Sequence, residues 1–113
     1  MNNKYEIKSF NNEKEAKDLL KESRNRIDEI DNDLFNLICQ RTSFAVDIAL
    51  AKEYLGMPIY DKGREDAIHA KIKKLSDENG IDMDIIDQIV NMLTILSKNE
   101  QKEILRRNAD GQY

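Results

Sequence analysis

Apolar residues recur at steps of three and four between positions 27 and 48, a spacing that predicts one face of an amphipathic helix. The members of this apolar stripe are Ile27, Ile30, Leu34, Leu37, Ile38, Phe44, Ala45 and Ile48. The same steps pass through Arg41 and end on Lys52, so two cations lie where a packed core would place leucine. Because lysine and arginine are almost never fully buried without a partner, we expect an anionic group to meet them.

The signals that begin and end this helix lie far apart. Asn12 is a good N-cap, with Glu15 three residues later, and the next stop signal is Gly56 followed by Pro58. The pattern therefore predicts one helix over about 13–55, about 60 Å long at 1.5 Å per residue. A compact chain of this size has a radius of gyration of about 13 Å, so such a helix leaves apolar surface exposed. We predict an obligate homodimer in which a second copy covers it.

Two shorter amphipathic helices follow. Asp61 is the N-cap candidate of a helix over about 62–78, and Asp82 or Asp84 begins a third helix that runs to about Arg106. The sequence thus predicts an all-α fold, a three-helix protomer whose first helix is very long. Its expected divisions are a flexible N-terminal arm over 1–11, a folded domain over 12–107 and a C-terminal tail over 108–113.

Composition narrows the possible partners. The formal net charge is −4, and no Lys/Arg block with interleaved aromatics appears, so we expect no nucleic-acid partner. A single cysteine rules out an internal disulfide and fits a reducing compartment. Because no apolar run reaches membrane-spanning length and the polar start lacks a signal peptide's apolar region, we expect a soluble cytoplasmic protein with no membrane partner.

Polar side chains occupy the inner face of every predicted helix. They are Arg41 and Lys52 on the first, Arg64 and Glu65 on the second, and Ser97 and Gln101 on the third. A buried polar group left unpaired costs about 1–3 kcal/mol, so a purely structural bundle would hardly accept so many. The cationic excess suggests a ligand with more than one negative charge, such as a dicarboxylate. The alternative is that Arg41 and Lys52 form ion pairs with Glu65 or Asp61.

Other kinds of chemistry have little support in the chain. The acidic residues Asp28, Glu29 and Asp31 have no histidine or cysteine nearby to complete a metal site, so we expect no bound metal. There is no glycine-rich phosphate loop and no pairing of a nucleophile with a base. His69, the single histidine, is interpreted as a solvated helix residue.

Arg24 differs from the other cations in position. It lies about 25 Å along the predicted helix from Arg41 and about 100° around it, so one small ligand could not touch both on the same helix. An antiparallel second copy could bring its Arg24 close to the first copy's Arg41. The geometry is a hint of a site shared between two chains.

These residues together resemble a known family. The run Arg24-x-x-Ile27-Asp28-x-Ile30-Asp31, then Arg41, Lys52, Gly56-x-Pro58-Ile59-Tyr60-Asp61-x-x-Arg64-Glu65 and Ser97-x-x-x-Gln101, closely resembles the all-helical class of chorismate mutases. The resemblance covers about residues 19–105. It implies an intertwined homodimer with two active sites that converts chorismate, a dicarboxylate, to prephenate on the shikimate route to phenylalanine and tyrosine. It also implies a pericyclic step without cofactor or metal.

The resemblance assigns roles to individual residues. Arg24 from the partner subunit and Arg41 are expected to bind the two carboxylates of chorismate. Lys52 and Gln101 are expected to donate hydrogen bonds to the ether oxygen whose bond breaks, and Lys52 also to touch a carboxylate. On this basis Lys52, Gln101, Arg41 and Glu65 are the expected catalytic residues.

The remaining positions are expected to orient the substrate ring. Glu65, with the backbone near Asp61, would hold the ring hydroxyl, while Arg64 and Ser97 would support the ring carboxylate. Two alternatives stay open at this point. An isochorismate pyruvate lyase uses a similar fold and cation set, and a non-catalytic helical dimer could merely sense an aromatic-pathway carboxylate.

Overall fold

The computed structural model describes residues 8–111. It contains four helical segments, α1 (Glu13–Ser43), α2 (Ala45–Leu55), α3 (Lys62–Asn79) and α4 (Met83–Ala109). The described residues include no strand, which confirms the all-α prediction. Positions 1–7 of the predicted N-terminal arm and the last two residues of the predicted tail lie outside the described residues.

The chain divides into two compact units, residues 1–36 and 37–113. In the first unit, α1 begins where the capping pattern placed it, because Asn12 Oδ1 accepts a hydrogen bond of 2.9 Å from the Glu15 backbone N–H. No side chain of α1 is buried. Ile27, Ile30 and Leu34 are 54%, 58% and 53% exposed, so the part of the predicted apolar stripe that lies in the first unit has no cover within a single chain.

The predicted helix over 13–55 is present as Glu13–Leu55, and it is interrupted at a single residue, Phe44. Its backbone N–H donates to Arg41 O, at 3.3 Å, and not to Gln40 O as α-helical geometry would require. The Gln40 carbonyl instead accepts from Ser43 Oγ at 2.6 Å. Thr42 Oγ1 bonds back to Ile38 O in the same way, at 2.8 Å. Side-chain hydroxyls that donate to backbone carbonyls of the preceding turn locally disturb a helix. The hydroxyls of Thr42 and Ser43 therefore explain the break between α1 and α2.

The second unit packs α2 and α3 against α4. Its fully buried apolar centre is small, Ala45 and Ala49 from α2 with Ile104 from α4, and Leu105 packs against it. The two alanines let the helix backbones approach closely, which positions the polar side chains of α2 and α4 near one another. A second link joins α3 to α4, where His69 forms a short hydrogen-bonded pair with Asp87. His69, interpreted from the sequence as a solvated helix residue, remains 38% exposed at its side chain but also pairs with Asp87.

The helix ends of this unit follow the predicted capping chemistry. Asp61 Oδ1 accepts from the Arg64 backbone N–H at 3.0 Å, and Asp82 Oδ1 accepts from that of Ile85 at 3.1 Å. Asp82, not Asp84, is thus the N-cap of α4. At the other end of α2, Gly56 adopts a left-handed φ of 69°, which a residue with a Cβ seldom accepts. The α4 helix continues to Ala109, three residues beyond the predicted end.

The exposed apolar stripe also bears on membranes. Among the described residues, one helical stretch, Glu13–Leu55, is long and apolar enough to cross a membrane by length and composition alone. Only 11% of its most apolar window is buried in the single chain. A helix face that packs on another protein chain has the same composition, so this property indicates uncovered apolar surface.

Two glycines near the loop before α3 provide a matched test of this backbone description. A Cβ at Gly63 would meet nothing closer than 3.7 Å, and its φ is not positive. We expect Gly63→Ala to raise the free energy of unfolding by about 0.4–1 kcal/mol, because alanine restricts the unfolded chain. Gly56→Ala should lower it by about 1–2 kcal/mol, because alanine is strained in the left-handed conformation. Denaturant unfolding at matched protein concentrations measures both, and equal effects would contradict the assigned backbone conformations.

Candidate functional site

A cavity of about 460 Å³ opens in the second unit. It brings together seven of the eight residues that the sequence singled out, from the end of α1 and from α2, α3 and α4: Arg41, Lys52, Asp61, Arg64, Glu65, Ser97 and Gln101. Its apolar wall comes from Phe44, Ile48, Ile59 and Ile68. A lining of charged and apolar side chains suits a small molecule that has both carboxylates and a carbon ring.

A chain of hydrogen bonds crosses the floor of the cavity. Lys52 Nζ donates to Ile59 O at 2.6 Å and to Gln101 Oε1 at 3.0 Å. Gln101 Nε2 in turn donates to Ser97 Oγ at 3.1 Å. Gln101 is only 4% exposed, so its side chain is held by packing as well as by these bonds. These hydrogen bonds hold Lys52 and Gln101 side by side, and each of the two side chains still has an unused hydrogen-bond donor.

Arg41 is held by a neutral acceptor. Its Nη1 donates to the backbone carbonyl of Leu93 at 3.1 Å. The ion pairs found among residues 8–111 do not include Arg41 or Lys52. The alternative in which these cations pair with Glu65 or Asp61 is therefore wrong for the single chain. Their positive charges remain uncompensated by carboxylates.

Asp61 and Arg64 take their places from the start of α3. Asp61 caps the helix through its side chain, and Arg64 supplies the backbone N–H that this cap binds. The cap turns the chain from the extended loop into the helix, which places Arg64 and Glu65 on its first turn at the cavity wall. Arg64 is exposed, whereas Glu65 is largely covered.

Lys98 is a cavity residue that the sequence analysis did not select. Its Nζ lies 3.1 Å from Glu65 Oε2 and 5.2 Å from the centroid of the Tyr60 ring. Its place three residues before Gln101 puts both on one face of α4, and this spacing is the signal that could have found it. Thr94 also lines the cavity, one turn before Lys98.

The cavity is electropositive. Four cations and two carboxylates line it, which leaves a formal charge of +2. Two charged groups outside the cavity have displaced pKa values. Hydrogen bonds from Arg106 and Arg107 lower the pKa of Glu103 to about 2, and a hydrogen bond to Asp66 raises that of Lys62. Glu103 thus stays ionised throughout the neutral range, and neither group lines the cavity.

Arg24, the eighth residue singled out from the sequence, does not line the cavity. It lies in the first unit and is exposed. Among residues 8–111 no group of three or more histidine, cysteine, aspartate or glutamate side chains is arranged to hold a metal ion. The lining offers ammonium, guanidinium, amide and hydroxyl donors, so what it can do is bind an anion and stabilise charge on an oxygen.

Comparison with known proteins agrees with this chemistry. Residues 23–102 match the family model described as chorismate mutase type II. A curated relative, the chorismate mutase of Methanocaldococcus jannaschii, is 43% identical over 86 residues, which are 76% of this chain and 87% of the relative.

Proposed function

The chain belongs to the chorismate mutase type II family, and we propose that the cavity of its second unit is the active site. The protein is an isomerase that rearranges chorismate to prephenate in the biosynthesis of phenylalanine and tyrosine. The observation that carries the assignment of the site is the pair of uncompensated cations, Arg41 and Lys52, both held by neutral acceptors. A dicarboxylate substrate supplies the anions they lack.

The reaction is pericyclic, so the protein need not transfer a proton or form a covalent bond to the substrate. Its tasks are to hold chorismate in the compact conformation that reacts and to stabilise negative charge on the departing ether oxygen. Both tasks are electrostatic and geometric. They suit a cavity lined by fixed donors and an aliphatic wall.

Lys52 and Gln101 are the proposed donors to the ether oxygen. An ammonium has three N–H bonds, and Lys52 uses two of them on Ile59 O and Gln101 Oε1. An amide has two, and Gln101 uses one on Ser97 Oγ. One donor of each residue remains for the substrate. Because both side chains are already held in place, little reorganisation is needed when charge develops.

The other residues are proposed to orient the substrate. Arg41 binds one carboxylate of chorismate, and Arg64 with Ser97 supports the carboxylate on the ring. Glu65, together with the backbone near Asp61, accepts a hydrogen bond from the ring hydroxyl. All five line the cavity.

We propose that the active form is an intertwined homodimer in which Arg24 of the partner subunit completes each site. Support comes from α1, which has no buried side chain and on which Ile27, Ile30 and Leu34 are more than half exposed. A second apolar row on α4, made by Ile85, Ile89 and Met92, is equally exposed. Burying such surface against another copy stabilises an assembly. With that surface covered by protein, we propose that the enzyme is cytoplasmic.

Product analysis tests the activity directly. Purified protein should consume chorismate and form prephenate. The loss of chorismate absorbance measures the rate, and identification of the product shows which reaction occurs. Release of pyruvate and salicylate from isochorismate as the main activity would favour a lyase instead. Binding of chorismate without turnover would favour a sensor.

Replacing Lys52 tests the proposed charge stabilisation. We expect Lys52→Ala to lower kcat by about two to three powers of ten, the usual effect of losing a donor to a developing oxyanion. Steady-state kinetics with chorismate measures it, with circular dichroism to verify the fold. Lys102→Ala, on the exposed face of α4, is the control and should behave as wild type. An unchanged kcat would remove Lys52 from the chemistry.

Complementation between variants tests the shared site. Arg24→Ala and Arg41→Ala homodimers should each be nearly inactive. Refolding an equal mixture should recover about a quarter of wild-type activity, since half of the dimers are mixed and each has one intact site.

The matched control for this experiment mixes Arg41→Ala with Lys52→Ala. Both positions belong to the same chain's cavity, so neither site of that mixed dimer is intact and no activity should return. Equal recovery in the two mixtures, or none in either after verified subunit exchange, would refute the contribution of Arg24 across subunits.

Activity should also persist through neutral pH. The amide of Gln101 does not titrate, so its hydrogen bond to the ether oxygen is available at every pH at which the protein is folded. In Gln101→Glu the side chain donates only when protonated, so activity should fall at least about tenfold from pH 5 to pH 7. The kcat–pH profiles of both proteins measure this. A sharp loss in the wild type over the same range would contradict the assignment.

A further inference from the structure

Lys98 and Glu65 form a linkage across the cavity between α4 and α3. The ammonium lies 3.1 Å from one carboxylate oxygen of Glu65 and 3.4 Å from the other. Their side chains are 25% and 17% exposed, so this is the most sheltered of the ion pairs found among the described residues. Water screens such a pair less than it screens surface pairs, and its loss would leave a partly desolvated carboxylate without a cation.

Glu65 requires a partner of this kind. The proposed substrate has two carboxylates, and a free glutamate on the wall of the same cavity would repel it. The proposed task of Glu65 is to accept a hydrogen bond from the ring hydroxyl, for which an ionised carboxylate is well suited. A cation paired with Glu65 offsets the repulsion of the substrate and still leaves the carboxylate able to accept the hydrogen bond from the hydroxyl. With Lys98 the lining has a formal charge of +2, and without it +1, against the two charges of the substrate.

The position of Lys98 is itself fixed. Its ammonium lies 5.2 Å from the centroid of the Tyr60 ring, within the range of a cation–π contact. Tyr60 belongs to the loop before α3, next to the helix cap Asp61. The ammonium thus contacts Glu65 and an aromatic face, and it binds both oxygens of the carboxylate, which restricts how Glu65 can turn.

We propose that Lys98 is a positioning residue that holds Glu65 oriented toward the substrate hydroxyl and offsets its charge against the substrate carboxylates. This inference rests on the proposed role of Glu65 in the active site. Because the effect acts equally on bound substrate and transition state, it concerns binding more than the chemical step.

The first part of the test removes the charge at position 98. We expect Lys98→Met to raise KM for chorismate about tenfold while kcat changes much less, since binding is weakened uniformly. Lys98→Arg keeps the cation and should restore KM to within about threefold of wild type. Lys102→Met makes the same charge change one turn later, outside the cavity lining, and should leave KM unchanged.

The second part asks whether Lys98 acts through Glu65. Glu65→Gln should raise KM by itself, because an amide is a weaker acceptor for the hydroxyl. In the Glu65→Gln background, Lys98→Met should raise KM much less than in the wild type, because a neutral amide needs no cation and the lining keeps its formal charge of +2. A merely structural lysine would instead lower the melting temperature and the activity in both backgrounds.

The outcomes separate this inference from the proposed function. An unchanged KM in Lys98→Met with a raised KM in Glu65→Gln would overturn the role of Lys98 alone. Equal increases in KM from Lys98→Met in both backgrounds, with the melting temperature unchanged, would show that Lys98 contacts the substrate directly, which also overturns it. An unaffected Glu65→Gln would refute the assigned role of Glu65, and the inference about Lys98 would fall with it.

Discussion

The structure depends on keeping two cations in a half-buried cavity without giving them a carboxylate. Arg41 and Lys52 sit on a helical stripe whose other positions are apolar, and their hydrogen bonds go to Leu93 O, Ile59 O and the Gln101 amide. Neutral acceptors orient the cations but leave their charge unbalanced. Such a site is costly when empty and gains by binding an anion, so the same arrangement that limits the stability of the fold provides the affinity for substrate.

The fold around these cations was largely predictable because its signals are local. Asn12, Asp61 and Asp82 are caps whose side-chain geometry depends on three or four neighbouring residues, and Gly56 ends α2 with a conformation that only glycine accepts easily. The break at Phe44 was missed for a related reason. Serine and threonine are tolerated in most helices, and the sequence does not reveal whether their hydroxyls will take over a backbone carbonyl.

The site was predictable as a set of residues, less so as a network. Periodicity placed Arg41, Lys52 and Gln101 on inward faces, but the donors and acceptors they choose depend on how α2 and α4 approach each other. That approach is set by Ala45 and Ala49, which are completely buried. The sequence does not predict Lys98 as a cavity residue, because a lysine beside an apolar stripe usually extends into water. Only the arrangement of α3 against α4 reveals that its ammonium meets Glu65.

The chemistry of the family explains why so modest a core suffices. A pericyclic rearrangement asks the protein for shape and fixed charge, and both come from helix faces without a strained nucleophile or a metal. Among the described residues of the second unit, the fully buried apolar side chains are only Ala45, Ala49 and Ile104. A protein with so little internal apolar burial and an uncovered stripe on α1 gains much of its remaining stability from whatever covers that stripe. If a second copy covers it, then folding, assembly and completion of the active site become a single equilibrium.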